Sequence, residues 1–263
     1  MEALIKLFVS DIDGTLMDRS KQIRKADIDA IRLAYQQGIH LCLASGRMHE
    51  EIKVVMELLN VPCYAICQNG AAIVDLDGTV IHSSQFPPDL ALAVRQMTAT
   101  ADLVTVICGS EGNYVAEQTA ETERVGQRFL TPLIERREVM ADMANGMPVT
   151  KFSIYGEVPL LERMLEALDQ RFAQRVTASF SDPDGIDVMP GGVDKGAAVE
   201  ALMQLLDIRR EETACIGDSF NDLAMFRSCS RSYAMAHAHD TVITTATHQA
   251  ETVGQALHEL LAV

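Results

Sequence analysis

The chain has 263 residues, 48% of them hydrophobic, and its 37 acids against 22 bases give a formal net charge of −15. Such an acidic surface disfavours nucleic acid and anionic lipid as partners, and an anionic substrate would need a bound cation and local bases at its site. No apolar run reaches the roughly 18 residues of a membrane span, and no basic leader precedes a cleavable apolar stretch, so we expect a cytoplasmic protein without a membrane partner.

Both ends of the chain alternate short apolar runs with amphipathic segments, which is typical of β-α units around a parallel sheet. The apolar runs are continuous, which indicates strands covered on both faces. Gly38 is a plausible C-cap for the first amphipathic segment. The predicted elements are strands over 3–10, 39–45, 63–68 and 213–218, and helices over 25–38, 49–60 and 195–207.

A different pattern occupies the middle of the chain. Two strand-like runs, 103–109 and 113–117, are close enough to pair antiparallel, and a helix over 159–172 lies among further short strands. Pro and Gly residues near 87–88 and 190–192 are typical of hinges. We therefore predict a parallel α/β core, residues 1–82 and 191–263, interrupted by a smaller α+β domain, residues 83–190.

The cysteines and histidines indicate no metal centre of their own. Six cysteines are scattered without a C-x-x-C pair, and several lie in apolar runs. Buried thiols in a reducing compartment fit this pattern better than disulfides or a zinc site. His237 and His239 alternate without a second ligand pair, so metal ligation there is the less favoured interpretation.

One acidic pentapeptide occurs twice. The second copy, DLDGT at residues 75–79, lies between two β-prone runs. An Asp-Gly pair in that position predicts a hairpin with a type I′ turn, in which both central residues have positive φ. We therefore expect this copy to be a hairpin tip without a chemical role.

The first copy, DIDGT at residues 11–15, follows a buried strand and precedes a polar loop. Ligands of open α/β sheets bind just outside the carboxyl ends of strands, where Asp11 stands. Asp13 shares its side because strand side chains alternate, and two such acids favour a hard cation, Mg²⁺. An EF-hand calcium loop would need Glu at its twelfth position, where the two copies have Gln22 and Phe86.

Complementary side chains follow two more predicted strands and begin one predicted helix. A hydroxyl, exposed amides, a guanidinium and an ammonium group suit a phosphate, whereas additional acids suit a metal. Each residue alone could be a helix cap or a solvated charge, but their joint occurrence at strand ends favours one site. The phosphate candidates are Ser45, Gly46, Arg47 and Lys195; Asp218 and Asp222 are the additional metal candidates, and Asn221 lies between these two acids in sequence.

Together these motifs resemble those of the haloacid dehalogenase-like phosphatases, and among them the Cof-type sugar-phosphatase branch. The resemblance covers nearly the whole chain, through DIDGTL at 11–16, ASGR at 44–47, QNGA at 68–71, Lys195 and GDSFND at 217–222. It implies a Rossmann-like parallel-sheet core with an inserted smaller α+β cap domain of type IIB. Such a cap would determine substrate specificity.

The resemblance also implies a reaction. Asp11 would attack a phosphoryl group to form an aspartyl phosphate, while Asp13 would protonate the leaving oxygen and then deprotonate water. We expect Mg²⁺-dependent hydrolysis of small phosphate monoesters, sugar phosphates above all, by a monomer or weak homodimer. Implied Mg²⁺ ligands are Asp11, the Asp13 backbone carbonyl and Asp218, supported by Asp222; implied phosphate contacts are Ser45, Gly46, Arg47, Lys195 and Asn221.

Two other functions are compatible with the same motifs. A phosphomutase or phosphotransferase would use the same intermediate but return the group to a sugar. A phospho-acceptor signalling module would keep the phosphoaspartate, although a general base at Asp13 would shorten its life. The chain departs from the family pattern at Ala236-His237, where a glycine-asparagine pair is usual.

Overall fold

The computed structural model describes residues 4–18, 20–100 and 102–262. Its chain forms two compact units, the first comprising Met1–His82 and Asp194–Val263 and the second comprising Ser83–Val193. The return to the first unit comes slightly later than the predicted residue 191. The amides of Gly191 and Gly192 donate to Arg175 and Thr177 of the second unit, at 2.7 and 3.2 Å, which explains why these glycines belong there.

The regular elements are numbered along the chain. The strands are β1 Leu7–Ser10, β2 His40–Ala44, β3 Tyr64–Cys67, β4 Ala72–Val74, β5 Val80–Ser83, β6 Val104–Cys108, β7 Asn113–Val115, β8 Ile134–Glu135, β9 Lys151–Tyr155, β10 Val176–Asp182, β11 Gly185–Pro190, β12 Thr213–Gly217, β13 Arg231–Met235 and β14 His248–Ala250. The helices are α1 Lys25–Gln36, α2 His49–Leu59, α3 Pro88–Thr98, α4 Ala120–Gly126, α5 Val139–Ala144, α6 Val158–Phe172, α7 Lys195–Leu206, α8 Leu223–Ser228, α9 Asp240–Thr245 and α10 Val253–Leu261.

The first unit contains an eight-stranded sheet in the order β14-β13-β12-β1-β2-β3-β4-β5. From β14 to β3 all neighbours are parallel, whereas β4 is antiparallel to β3. Helices α1, α2 and α10 cover one face, and α7, α8 and α9 cover the other. The predicted Rossmann-like parallel core is confirmed, and burial on both faces explains why its strands are continuously apolar.

A six-stranded sheet in the order β10-β11-β9-β6-β7-β8 forms the second unit. Its pairs are antiparallel except for β7 with β8, and the expected antiparallel pairing of β6 with β7 is present. Helices α3, α5 and α6 pack their apolar residues on one face. This unit therefore has the predicted α+β architecture. Within the described part of the chain, no helix has the length and hydropathy needed to cross a membrane.

The second pentapeptide joins β4 to β5, which are neighbours in the sheet, as a hairpin tip would. The predicted type I′ turn is wrong, because Gly78 alone of its two central residues has a positive φ, +88°. The amide of Asp75 donates to the Thr79 carbonyl at 2.8 Å, and the Asp77 carboxylate accepts from the Thr79 amide at 2.9 Å. This side-chain bond stabilises a longer loop in which glycine alone takes the left-handed conformation.

Candidate active site

The candidate site lies at the carboxyl ends of four adjacent strands of the first unit. Strands β12, β1, β2 and β3 run parallel and side by side, so their ends reach the same edge of the sheet. Asp218, Asp11, Ser45 and Gln68 are the residues that directly follow them. The amide of Asp11 donates to the Ile216 carbonyl at 3.0 Å, which carries the pairing one residue beyond β1. The sheet topology thus brings together motifs that are far apart in sequence.

A buried lysine connects two of these motifs. Lys195 is the first residue of α7, whose N-terminus is capped by the carboxylate of Asp194. Its fully buried ammonium group donates to Asp11 Oδ1 at 2.6 Å and to Asp222 Oδ1 at 2.7 Å. Burial alone would lower the pKa of Lys195, but Asp11 and Asp222 outweigh it and raise that pKa. The lysine is therefore a fixed positive charge beside the nucleophile candidate.

Asp222 organises the loop that follows β12. While its Oδ1 accepts from Lys195, its Oδ2 accepts from the amides of Asp218 and Ser219 at 2.9 and 3.0 Å. Charge-assisted hydrogen bonds of this kind are among the stronger ones in proteins. Both carboxylate oxygens thus already hold donors, which favours a supporting position for Asp222 over direct ligation of a metal.

Asp218 is held by the first pentapeptide. The Thr15 hydroxyl donates to its Oδ1 at 3.1 Å, and Gly14, with a φ of +84°, packs directly against the same carboxylate. His237 Nε2 lies 3.7 Å from Oδ2, and the imidazole is 54% exposed. Burial, followed by the nearby charge of Asp222, raises the pKa of Asp218 to about 6.

The acids at this edge suit a divalent cation. Asp11, Asp218 and Asp222 each offer one carboxylate oxygen, and these oxygens lie within 4.8 Å of one another. Burial raises the pKa of Asp11 well above its usual value, although Lys195 opposes the shift. Three acids thus face one ammonium group, and hard oxygen donors are the ligands that Mg²⁺ prefers. The residues present fit Mg²⁺, with Asp11 and Asp218 the more available ligands.

Asp13 and Arg47 form a bidentate ion pair. The Nε and Nη2 atoms of Arg47 donate to the two carboxylate oxygens of Asp13, both at 2.7 Å, and Arg47 Nη1 lies 3.6 Å from Glu51. The Asp13 side chain is 48% exposed, whereas that of Arg47 is 10% exposed. Burial alone would lower the pKa of Arg47, but Asp13 outweighs it and raises that pKa. The carboxylate of Asp13 is therefore oriented yet accessible.

Three of the predicted phosphate contacts lie around the turn Gln68–Gly70. Ser45 is buried, and its hydroxyl accepts from the Arg47 amide at 3.2 Å across Gly46. The side-chain Nδ2 of Asn221 donates to Asn69 Oδ1 at 3.1 Å. The side-chain Oδ1 of Asn221 is buried without a hydrogen-bond partner among the described residues. The amides of Gln68 and Asn69 donate to the carbonyls of Arg47 and Ser45, so the turn connects these two residues with Asn221.

Two residues of this edge, Thr15 and Asn69, contact predicted site residues although the sequence motifs gave them no role. Thr15 is the last residue of the first pentapeptide, and only its contact with Asp218 shows what its hydroxyl does. Asn69 lies in a segment that resembles the family pattern, and its Asn-Gly pair is a turn signal from which a special backbone conformation could have been predicted. Contacts with residues more than 150 positions away in sequence could not be predicted from either signal.

Comparison with known proteins gives the family. A family model described as haloacid dehalogenase-like hydrolase matches residues 8–256. The chain belongs to the haloacid dehalogenase-like hydrolases. Among curated relatives of this hydrolase is an HMP-PP phosphatase of Enterobacter sp. (strain 638), 25% identical over 247 residues that cover 93% of this chain and 89% of the relative.

Solved structures share the fold of this haloacid dehalogenase-like hydrolase at low sequence identity. A haloacid dehalogenase-like hydrolase from Bacteroides thetaiotaomicron is similar with a TM-score of 0.84 and 23% identity, covering 97% of this chain and 99% of that one. A HAD subclass IIB sugar phosphatase, BT4131, has a TM-score of 0.83 at 19% identity, with 98% and 100% covered. The predicted family resemblance, the fold class and the prediction of a hydrolytic enzyme are confirmed. The roles of individual residues stay predictions.

Proposed function

We propose that this hydrolase is a Mg²⁺-dependent phosphatase that cleaves small phosphate monoesters, sugar phosphates above all, through an aspartyl-phosphate intermediate. The main support is the contact of Lys195 Nζ with Asp11 Oδ1 at 2.6 Å, beside the carboxylates of Asp218 and Asp222. A nucleophilic carboxylate, a fixed cation and a metal-binding set are what phosphoryl transfer requires. The relatives' names, HMP-PP phosphatase and sugar phosphatase, support the same class of reaction.

Asp11 is the proposed nucleophile. Lys195 holds Oδ1 and favours the ionised carboxylate, so Oδ2 is the proposed attacking atom. A bond forms between this oxygen and phosphorus as the bond from phosphorus to the leaving oxygen breaks. Asp11 and Asp218, supported by Asp222, would hold Mg²⁺, which would neutralise part of the phosphoryl charge. The Ser45 hydroxyl and the Lys195 ammonium would bind the phosphoryl oxygens.

Asp13 is the proposed general acid and base. Arg47 orients the accessible Asp13 side chain, which in its protonated form gives its proton to the leaving oxygen. In the second half of the reaction the same carboxylate takes a proton from water, whose oxygen attacks phosphorus. The bond between phosphorus and Asp11 then breaks, which releases inorganic phosphate and restores both carboxyl groups.

The test is phosphate release from a panel of sugar phosphates, nucleotides and pyridoxal phosphate, with Mg²⁺ and with a chelator. We expect turnover that requires Mg²⁺, loss of turnover in Asp11→Asn, and a loss of about 10²–10⁴-fold in Asp13→Asn. Asp75→Asn in the second pentapeptide is the matched control, and its activity should stay near that of the wild type. A protein that releases no phosphate from any member of the panel would contradict the proposal.

Two further measurements separate the proposal from its alternatives. A phosphomutase would need a bisphosphate activator and would isomerise a sugar phosphate without releasing phosphate. A phospho-acceptor module would keep its phosphoaspartate for minutes or longer. This lifetime is measured by adding a labelled phosphate donor, quenching samples with acid at intervals and counting the label on the protein. We also propose a reducing cytoplasmic compartment, which is supported by the burial of all six cysteines as thiols.

A further inference from the structure

The turn Gln68–Gly70, which directly follows β3, has an unusual backbone. Gln68, Asn69 and Gly70 have φ angles of +49°, +55° and +103° in succession. All three residues are buried. A left-handed conformation costs a non-glycine residue about 1–2 kcal/mol, and such a cost persists only where surrounding contacts stabilise it.

Those contacts reach two segments of the candidate phosphate site. The amides of Gln68 and Asn69 donate to the carbonyls of Arg47 and Ser45, both at 2.9 Å. The Asn69 side chain accepts from the Asn221 amide at 3.1 Å. One turn thus holds both the segment after β2 and the loop after β12.

A third segment lies against the same turn. A Cβ atom at Gly70 would lie 2.2 Å from the carbonyl oxygen of Asp194, the residue that caps α7 and precedes Lys195. Such a distance is closer than any side chain tolerates, so the backbone at Gly70 packs directly on the start of this helix. The turn therefore touches the segments that carry Ser45, Asn221 and Lys195.

We propose that Asn69 is a positioning residue for phosphoryl binding. Its backbone amide donates to the Ser45 carbonyl, and its side-chain oxygen accepts from Asn221 Nδ2. These two bonds fix the position of Asn221 relative to Ser45, although the two residues follow different strands. This inference rests on the proposed phosphatase function. It assigns to Asn69 no contact with substrate, since the residue acts through its two neighbours.

Asn69→Gly isolates the side chain, because glycine adopts the left-handed backbone freely and keeps the amide that donates to Ser45. A matched control exists at Asn60, the C-cap of α2, whose φ of 52° and ψ of 44° resemble the 55° and 33° of Asn69. Asn60→Gly makes the same chemical change in the same conformation, but Asn60 has no part in the site. The backbone effect of replacing asparagine by glycine in this conformation is therefore subtracted, whereas the loss of a buried side chain occurs at Asn69 alone.

We expect Asn69→Gly to lower kcat/KM about 10–100-fold, as a displacement approaching 1 Å at a reacting group does. The factor should be the same for every phosphate ester that the enzyme cleaves, because the phosphoryl end and not the leaving group is disturbed. Asn60→Gly should match the wild type. In an Asn221→Ala background, Asn69→Gly should cause little further loss, since the contact between the two side chains is already absent.

A second measurement does not depend on turnover. Binding of inorganic phosphate with Mg²⁺, followed by calorimetry, should weaken at least about tenfold in Asn69→Gly relative to Asn60→Gly. If the wild type binds phosphate but releases none from esters, the proposed function fails while this inference is still tested. If Asn69→Gly equals Asn60→Gly in both kcat/KM and phosphate affinity, the inference is wrong. If Asn69→Gly does not fold, Asn69→Ala, which also removes the acceptor of the Asn221 side chain, is compared with Asn60→Ala by the same two measurements.

Discussion

Gly14→Ala provides a demanding test of the candidate site, because it adds a single methyl group beside Asp218, a predicted metal ligand. A Cβ atom at Gly14 would lie 2.3 Å from Oδ2 and 2.9 Å from Cγ of Asp218. Carbon and oxygen atoms in ordinary contact are about 3.4 Å apart or more, so the carboxylate must move by about 1 Å. The displacement also pulls Asp218 away from the Thr15 hydroxyl, which donates to it at 3.1 Å.

The second pentapeptide supplies the control. Gly78 occupies the same position of the repeated motif with a φ of +88° against +84° for Gly14, yet nothing lies within 4 Å of a Cβ atom there. Alanine should therefore meet the same left-handed strain at both positions, about 1–2 kcal/mol, but should displace a side chain at Gly14 alone. Misplacing a group at the site by about 1 Å corresponds to a loss of about 10²-fold in rate.

The assay compares Gly14→Ala with Gly78→Ala in phosphate release across a range of Mg²⁺ concentrations, with thermal unfolding of both variants. We expect a fall in melting temperature for both variants, larger for Gly14→Ala because it also displaces Asp218. A loss of about 10²-fold in kcat/KM and a higher Mg²⁺ requirement should occur in Gly14→Ala only. Equal activity of the two variants, or an activity loss at Gly78 as large as at Gly14, would refute the assignment of Asp218 to the site.

Two further predictions concern stability. Asp222→Asn leaves the fully buried Lys195 with Asp11 as its remaining carboxylate partner, so the free energy of unfolding in denaturant should fall by about 1–3 kcal/mol. An unchanged free energy of unfolding would contradict a stabilising contact between Lys195 and Asp222. Hydrogen bonds from Arg209, the larger contribution, and from Lys6 lower the pKa of Glu212 from 4.5 to about 2. The ionised Glu212 therefore stabilises the fold above pH 4.5, and this stabilisation is lost as the pH falls towards 2. Glu212→Gln should therefore lower the melting temperature at pH 7, and its difference from the wild type should shrink between pH 4.5 and pH 2; a constant difference would show that ionisation is not the cause.

Much of the core could be predicted because its signals are local. Continuous apolar runs such as that of β2 correspond to strands buried on both faces, and the amphipathic segment of α1 ends just before Gly38, which has a positive φ. The acids and the hydroxyl that follow these strands also had to lie at one edge, since parallel strands end on the same side of a sheet. The type I′ turn was wrong because the Asp77 side chain accepts a hydrogen bond from Thr79, a contact that propensities for a two-residue turn do not include.

The amino-acid sequence by itself determined the parallel core, the α+β character of the insertion and the set of groups from which a phosphate site can be built. Apolar periodicity and residue chemistry are properties of short segments, so they can be recognised without coordinates. Only the tertiary structure decided that Lys195 contacts both Asp11 and Asp222 and that the side chains of Asn69 and Asn221 share a hydrogen bond. It also decided that a methyl group at Gly14 of the repeated motif would clash with Asp218. Gly14 and Gly78 have the same neighbours in sequence and nearly the same φ, but packing brings Asp218 against the first and leaves the second open.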